Sequence, residues 1–274
     1  RCAPRSAGEG GAMEFLVDGK RVFAATGGRE RRASEPDVVF LHGAGMDHSV
    51  WTLQTRWFAH HGRNVIALDL PGHGRSDGPP LARIEDLAAW VVRALDAIGS
   101  AKAALVGHSM GALIALASAA AAPERVWAVA LLGAAPTMPV HPDLLAAARA
   151  GDHAAIDLLV SWGLGRRAHL GGAQAPGTWM MGASTRLLER DTHAALAADL
   201  AACDAYKGAK DAAAALRCPA LVIAGALDRM TPPKGAAALA AAMSEGRVVT
   251  LAECGHMMMI EQPDRTLDAL AEIA

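Results

Sequence analysis

Short apolar runs, each too brief for a helix and each bounded by glycine or polar residues, recur along the chain with helical segments between them. Asp37-Val38-Val39-Phe40-Leu41, Asn64-Val65-Ile66-Ala67-Leu68, Ala103 to Val106, Val126 to Leu132 and Ala220-Leu221-Val222-Ile223-Ala224 read as strands buried on both faces. Between Arg83 and Gly99, the recurrence of Ile84, Leu87, Val91, Leu95 and Ile98 at three- and four-residue intervals predicts an amphipathic helix that Gly99 ends. Met110 to Ala121 reads as a second helix, stopped by Pro123, and Pro233 to Met243 as a third, ahead of a last strand over Val248 to Leu251. Strands that alternate with helices in this way imply an α/β fold, with a mostly parallel sheet and helices on both faces.

The margins of the pattern are different. From Met13 a hairpin is expected around Asp18-Gly19, and residues 1–12 read as a disordered leader. Residues 136–205 carry leucines at helical spacing and no strand-like run, which predicts a helical insertion. The core is then assigned to 13–135 and 206–274. Within the insertion, the Gly/Pro-rich stretch Gly163 to Gly182 reads as an irregular loop that either packs on the core or lines a pocket.

With 52% hydrophobic and 20% charged residues, the 274-residue chain has ample material for a packed core. The 26 Lys+Arg nearly balance the 28 Asp+Glu, and no cationic block would track a phosphate backbone, so nucleic acid is not an expected partner. No run reaches the ~18 consecutive apolar residues of a membrane span. Cys2, Cys203, Cys218 and Cys254 lie far apart without CxxC spacing, so free thiols and a cytoplasmic location are expected. The histidines at 141, 153, 169 and 193 lack the spacing of a metal-binding helix. Neither metal nor cofactor is expected, and the sequence leaves the oligomeric state open.

The chemistry concentrates where strands end. Gly107-His108-Ser109-Met110-Gly111 lies between a strand and a helix, and a G-x-S-x-G there makes a turn tight enough to strain the serine and project its hydroxyl from the sheet edge. A serine hydroxyl is a weak nucleophile at neutral pH and needs a base, which itself needs an orienting group. Asp228 follows one buried strand and His256 the last one, which puts both on the rim of strand carboxyl ends where such sheets gather their sites. Taken singly, Asp228 also fits a turn or helix-cap aspartate, and His256 a satisfied loop histidine. In Leu41-His42-Gly43-Ala44-Gly45 the backbone N–H of Ala44 is positioned to stabilise an oxyanion, with the N–H of Met110 as second donor.

HGAG at 42–45, DLPGHGRSD at 69–77, GHSMG at 107–111, GALD at 225–228 and GHMMMIEQP at 255–263 together resemble the α/β-hydrolase superfamily, in its esterase and lipase-like group with a helical cap. The resemblance implies Ser109 as nucleophile, His256 as general base, Asp228 as orienting acid, an oxyanion hole of Ala44 and Met110, and a small-molecule acyl substrate. Ala44 stands where relatives often carry a bulkier residue. Carbon–carbon bond hydrolysis, lactone hydrolysis and cofactor-free haloperoxidase or perhydrolase chemistry use the same triad, and a small-molecule receptor uses the same scaffold. Arg166, Arg167 and Arg186 are candidate grips for a substrate carboxylate, although solvated arginines are commoner. His42, His73 and Asp69 are expected to pin loops, His108 to pack beside the serine turn, and Asp47, His48 and Trp51 either to meet substrate or to form a solvated loop with a buried Trp. Alkylation of denatured, unreduced protein followed by mass spectrometry is expected to find four modified thiols; two or none would show disulfides.

Overall fold

The computed structural model describes residues 11–190 and 193–274. Strands β1 (Ala12–Val17) and β2 (Lys20–Ala25) form the hairpin around Asp18-Gly19, with β1 starting inside the stretch assigned to a leader; residues 1–10 of that stretch, Cys2 included, lie outside the described residues. The chain continues through β3 (Asp37–Leu41), helix α1 (Thr52–His60), β4 (Asn64–Leu68), α2 (Ile84–Ala97), β5 (Ala103–His108), α3 (Met110–Ala121) and β6 (Val126–Leu132). Among the described residues five helices follow, α4 (Pro142–Ala150), α5 (Ala154–Gly163), α6 (Arg166–His169), α7 (Met180–Glu189) and α8 (His193–Ala205), with no strand among them. Then come α9 (Ala209–Ala215), β7 (Ala220–Gly225), α10 (Pro233–Ala240), β8 (Gly246–Leu251), α11 (Met258–Glu261) and α12 (Pro263–Ala271).

The strands make one eight-stranded sheet in the order β1-β2-β4-β3-β5-β6-β7-β8. β1 and β2 are antiparallel, and β3 to β8 run parallel. Because strand side chains alternate faces, Val39, Leu41, Ile66 and Leu68 join α2 and α3 in one core, whereas Val38, Phe40, Val65 and Ala67 join α1 and α12 in the other. α3 is apolar on every side and almost wholly buried, as a helix wedged between α2 and the sheet must be.

The register fixes where chemistry gathers. Leu41 pairs with Gly107, His108 with Leu132, Leu132 with Ile223 and Gly225 with Leu251, so the carboxyl ends of these strands lie side by side. The turns that follow carry His42 to Gly45, Ser109, Asp228 and His256. Helices α4 to α8, which follow β6, are inserted at this same edge.

The stretch from Gly163 to Gly182 is less irregular than expected, since it holds α6 and the first turn of α7. Its residues divide between the two roles weighed for them. Gly163 and Leu164 line a cavity, Met180 is buried, and Leu170 and Trp179 face solvent. Helix α1 is less amphipathic than α2 and carries a weaker sequence signal.

In the core shared with α1 and α12, Phe40 is fully buried, with its ring 5.3 Å from that of Trp51 and 5.6 Å from that of Phe58. Phe40→Ala removes the ring both neighbours rest on and is expected to cost about 3–5 kcal/mol of unfolding free energy. Urea unfolding measures it, and a loss under about 1 kcal/mol would show that the site collapses around the deletion.

Candidate active site

Ser109 has φ 53° and ψ −115°, a conformation that an L-residue adopts only under constraint. The constraint is visible on either side. A Cβ on Gly107 would stand 2.1 Å from the Gly111 carbonyl oxygen, and one on Gly111 would stand 2.3 Å from the carbonyl oxygen of Leu41. Only hydrogen fits at both positions, so the turn closes against β3 and holds the strain. The Ser109 N–H donates to the Leu132 carbonyl at 2.8 Å. Ser109 occupies the N-cap position of α3, yet its side chain makes no capping hydrogen bond there, unlike most serines so placed.

Asp228 ends the turn after β7. Its Oδ1 accepts the N–H groups of Met230 and Thr231, each at 2.8 Å, and its Oδ2 accepts the Thr231 hydroxyl at 2.7 Å and the Nδ1–H of His256 at 2.8 Å. The turn aspartate and the partner of His256 are therefore one residue. Burial pushes the Asp228 carboxyl toward protonation, but the charge and hydrogen bond of His256 and the donors of Thr231 outweigh it and hold the group below the usual carboxylate value.

His256 is buried in the turn between β8 and α11, and its N–H donates to the Gly163 carbonyl at 2.7 Å. A Cβ on Gly133 (φ +62°) would come within 2.7 Å of the ring, so this glycine makes room for the imidazole. With Nδ1 committed to Asp228, the lone pair lies on Nε2. Nε2 is buried and has no hydrogen-bond partner among the described residues, so the bond between Ser109 and His256 is not made in this structure. Hydrogen bonds of this kind are often long or unformed before substrate arrives. The ring of His108 lies 4.7 Å from that of His256, and its Nε2–H donates to the His256 carbonyl at 2.9 Å.

Ala44 and Ser109 line the same cavity of about 690 Å³. Its wall is mainly apolar, with Leu144, Val160, Leu188 and Leu200 from the inserted helices, and the exposed Pro139, His141, Pro142 and Arg229 mark its mouth. Met110 begins α3, and the N–H groups of a helix's first turn have no partner within the helix. The Gly43 carbonyl, in the same peptide unit as the Ala44 N–H, accepts from His42 Nδ1 at 2.9 Å.

The loop residues behave as braces. His42 also accepts the Leu70 N–H at 3.1 Å, and His73 donates to Pro71 at 3.0 Å. Asp69 accepts the N–H and ring Nδ1 of His48 at 2.8 and 2.7 Å and the Arg75 N–H at 2.9 Å. Asp47, His48 and Asp69 bring three ligand-type atoms within 4.8 Å of one another. Their oxygens are already taken, however, because Asp47 accepts the Ser49 N–H at 2.8 Å and pairs with Arg190 at 3.2 Å. Trp51 is fully buried. Arg166, Arg167 and Arg186 do not line the cavity; the two at 166 and 167 are exposed and Arg186 pairs with Glu189 at 2.6 Å, so the arginine at the cavity is Arg229.

Three residues escaped the sequence reading. Thr231 supports the Asp228–His256 pair, and its signal is an Asp with a hydroxyl residue three positions on. Glu261 is buried and accepts the N–H groups of Gly165 at 2.9 Å, Gly255 at 3.0 Å and Met257 at 3.2 Å, which brackets His256. Burial raises its carboxyl above the ordinary value against those three donors. Asp199 lies in α8 and accepts the Gly45 N–H at 2.9 Å; its signal is a carboxylate one residue from Leu200 and three from Leu196, on a face that ought to be apolar.

Comparison with known proteins places the chain in a family. The chain belongs to the alpha/beta hydrolase fold family, whose model matches residues 36–263. It is 30% identical over 253 residues to a pimeloyl-[acyl-carrier protein] methyl ester esterase of Aromatoleum aromaticum, covering 84% of this chain and 95% of that protein. Over 125 residues it is 42% identical to the dihydrolipoyllysine-residue acetyltransferase component of the acetoin cleaving system of Cupriavidus necator, covering 44% of this chain and 32% of that protein. Several curated relatives are likewise matched over less than half of their length. The enol-lactonase from Burkholderia xenovorans superposes with a TM-score of 0.84 at 26% identity, covering 94% of this chain and 98% of that one.

Burial lowers His42 to about 4 and His108 to about 3, helped by the charges of His73 and His256 respectively. An unfolded chain protonates these rings near ~6.5 and the folded one does not, so between that pH and about 4 the unfolded state binds the extra protons. Stability is therefore full above ~6.5 and falls with acid below it, by up to ~1.4 kcal/mol per pH unit for each ring. Glu261 works in the opposite direction, so the comparison is made by difference. His108→Gln is expected to flatten the loss of Tm between pH 6.5 and 4.5, and an unchanged slope would show that His108 is protonated in the fold.

Proposed function

We propose that this protein is a serine hydrolase of carboxylic esters or related acyl compounds. Ser109 is the nucleophile, His256 the base, Asp228 the orienting acid, and the N–H groups of Ala44 and Met110 the oxyanion donors. The core of residues 13–135 and 206–274 carries these groups, and a cap at 136–205 forms the substrate wall. The observation that carries the reading is the state of His256. Its Nδ1 is bound to a buried carboxylate, and its Nε2 has no partner beside a cavity lined by a strained serine whose hydroxyl does not cap its helix.

In the reaction the Ser109 Oγ attacks the substrate carbonyl carbon while its proton passes to His256 Nε2. Asp228 keeps the ring in its tautomer and stabilises the imidazolium, and the carbonyl oxygen becomes an alkoxide facing two backbone donors. Collapse expels the alcohol, which takes the proton from His256. Water, activated by the same nitrogen, then hydrolyses the acyl-enzyme. The volume and apolar wall of the cavity suit a compact acyl or alkyl group, and Arg229 and His141 at the mouth suit a polar end left in water.

A second reading, hydrolysis of a lactone, is an internal case of the same chemistry and is favoured by the likeness to the enol-lactonase across nearly the whole chain. Carbon–carbon hydrolysis uses the same triad, but Arg166, Arg167 and Arg186 are not the grip for a substrate carboxylate, since none of them lines the cavity and Arg229 does. A cytoplasmic location fits Cys203, Cys218 and Cys254, each an unbonded and buried thiol.

An alkyl phosphonate ester mimics the tetrahedral intermediate, and it is expected to add one label per chain on the peptide containing Gly107 to Gly111 and to abolish ester turnover in proportion. Ser109→Ala is expected to take no label and to lose at least ~10³-fold in kcat/KM with Tm within a few degrees. Label elsewhere would remove Ser109 as nucleophile. Label at Ser109 with no turnover of p-nitrophenyl esters or lactones would keep the nucleophile and discard the hydrolase of acyl esters.

A further inference from the structure

The N–H of Gly45 lies one residue beyond the proposed oxyanion donor, and its acceptor is a carboxylate from α8, 154 residues away in sequence. That carboxylate belongs to Asp199, which is 1% exposed. The same oxygen, Oδ2, accepts from His73 Nε2 at 2.8 Å, while His73 Nδ1 donates to the Pro71 carbonyl. The His73 ring lies 5.0 Å from that of His42, and His42 holds the Gly43 carbonyl. The tripeptide Gly43-Ala44-Gly45 is therefore pinned at both ends. His42 fixes the carbonyl of the peptide unit whose N–H belongs to Ala44, and Asp199 fixes the next N–H along. A buried carboxylate on the apolar face of a helix carries a large desolvation cost, so it persists where it satisfies donors that nothing else reaches.

We propose that Asp199 is a positioning residue for the oxyanion loop, aiming the Ala44 N–H at the reacting carbonyl through its bond to Gly45 and so coupling helix α8 of the cap to the chemical step. The inference rests on the serine-hydrolase reading above. It makes a demand that packing alone does not: the loss of Asp199 weakens interactions with the oxyanion while leaving the apolar pocket intact.

Asp199→Ala removes the acceptor. Asp199→Asn keeps an oxygen for both the Gly45 N–H and His73 Nε2–H but gives up the carboxylate charge that strengthens those bonds, so a smaller effect is expected. Two inhibitors separate orientation from pocket shape. An alkyl trifluoromethyl ketone forms a hemiketal with the serine: the Ser109 Oγ–carbon bond forms, the carbonyl electron pair moves to oxygen as the oxyanion, and the serine proton goes to His256. A primary alkanol of the same chain length fills the apolar wall and has no carbonyl. Asp199→Ala is expected to lose about 10²-fold in ketone affinity and in kcat/KM for a p-nitrophenyl ester. Asp199→Asn is expected to lose less of both, with alkanol inhibition within twofold of wild type in each variant.

Equal losses for ketone and alkanol would overturn the proposal, since Asp199 would then only shape the pocket. Unchanged ketone affinity would overturn it as well. Where the alanine variant fails to fold, the asparagine variant carries the same comparison. A wild-type protein that neither reacts with the ketone nor turns over the ester removes the parent reading, whereas variants indistinguishable from a reactive wild type remove only the role of Asp199.

Discussion

Everything at this site depends on one close approach of backbone to backbone, the contact of Gly111 with the carbonyl at the end of β3. That contact seats α3 directly against the parallel sheet and leaves the residue before the helix no relaxed conformation. Strain of this kind persists only where surrounding structure over-determines it. Here the determinants are the pairing of β5 with β3 and β6, the bond from Ser109 N–H to Leu132, and a helix buried on all sides. The serine points where it does because the sheet and helix are already fixed.

The second organising fact is that the turns of the site are tied to the helices inserted between β6 and β7. Asp199 of α8 holds the loop after β3. The Gly163 carbonyl holds the His256 N–H, and Glu261 joins Gly165 to the N–H groups on either side of His256. The inserted helices thus do more than roof the cavity, because their polar groups complete the hydrogen bonding of turns that would otherwise bury open donors. A motion of these helices would be felt at the proposed oxyanion loop and base together.

Charge is distributed so that neutral and ionised groups lie side by side. His42 and His108 are held neutral by burial, and each serves as a hydrogen-bonding spacer. Asp228 is held ionised by His256 and Thr231 despite its burial. A histidine whose tautomer is set by a carboxylate therefore stands beside one whose tautomer is set by backbone. That difference in surroundings, more than the residue type, separates a proposed base from a brace.

Much of this was legible in the chain. The apolar runs at 37–41, 64–68 and 126–132 carried the pattern of buried strands, and the five-residue GHSMG between a strand and an apolar helix singled out Ser109. Asp228 and His256 were legible because topology places every residue after a parallel strand on one rim. Asp199, Glu261 and Thr231 were not, since a lone carboxylate or hydroxyl in helix or turn has many uses and its acceptor geometry appears only when distant segments meet. The same limit left Arg166, Arg167 and Arg186 open between a substrate grip and solvated arginines, because positions in the insertion do not fix which side faces the cavity; all three are exposed. Sequence decides what is local, namely periodicity, breakers and turn chemistry. Tertiary structure alone decides which buried polar group satisfies which donor across 100 residues or more, because that pairing depends on the packing of the inserted helices over the sheet edge.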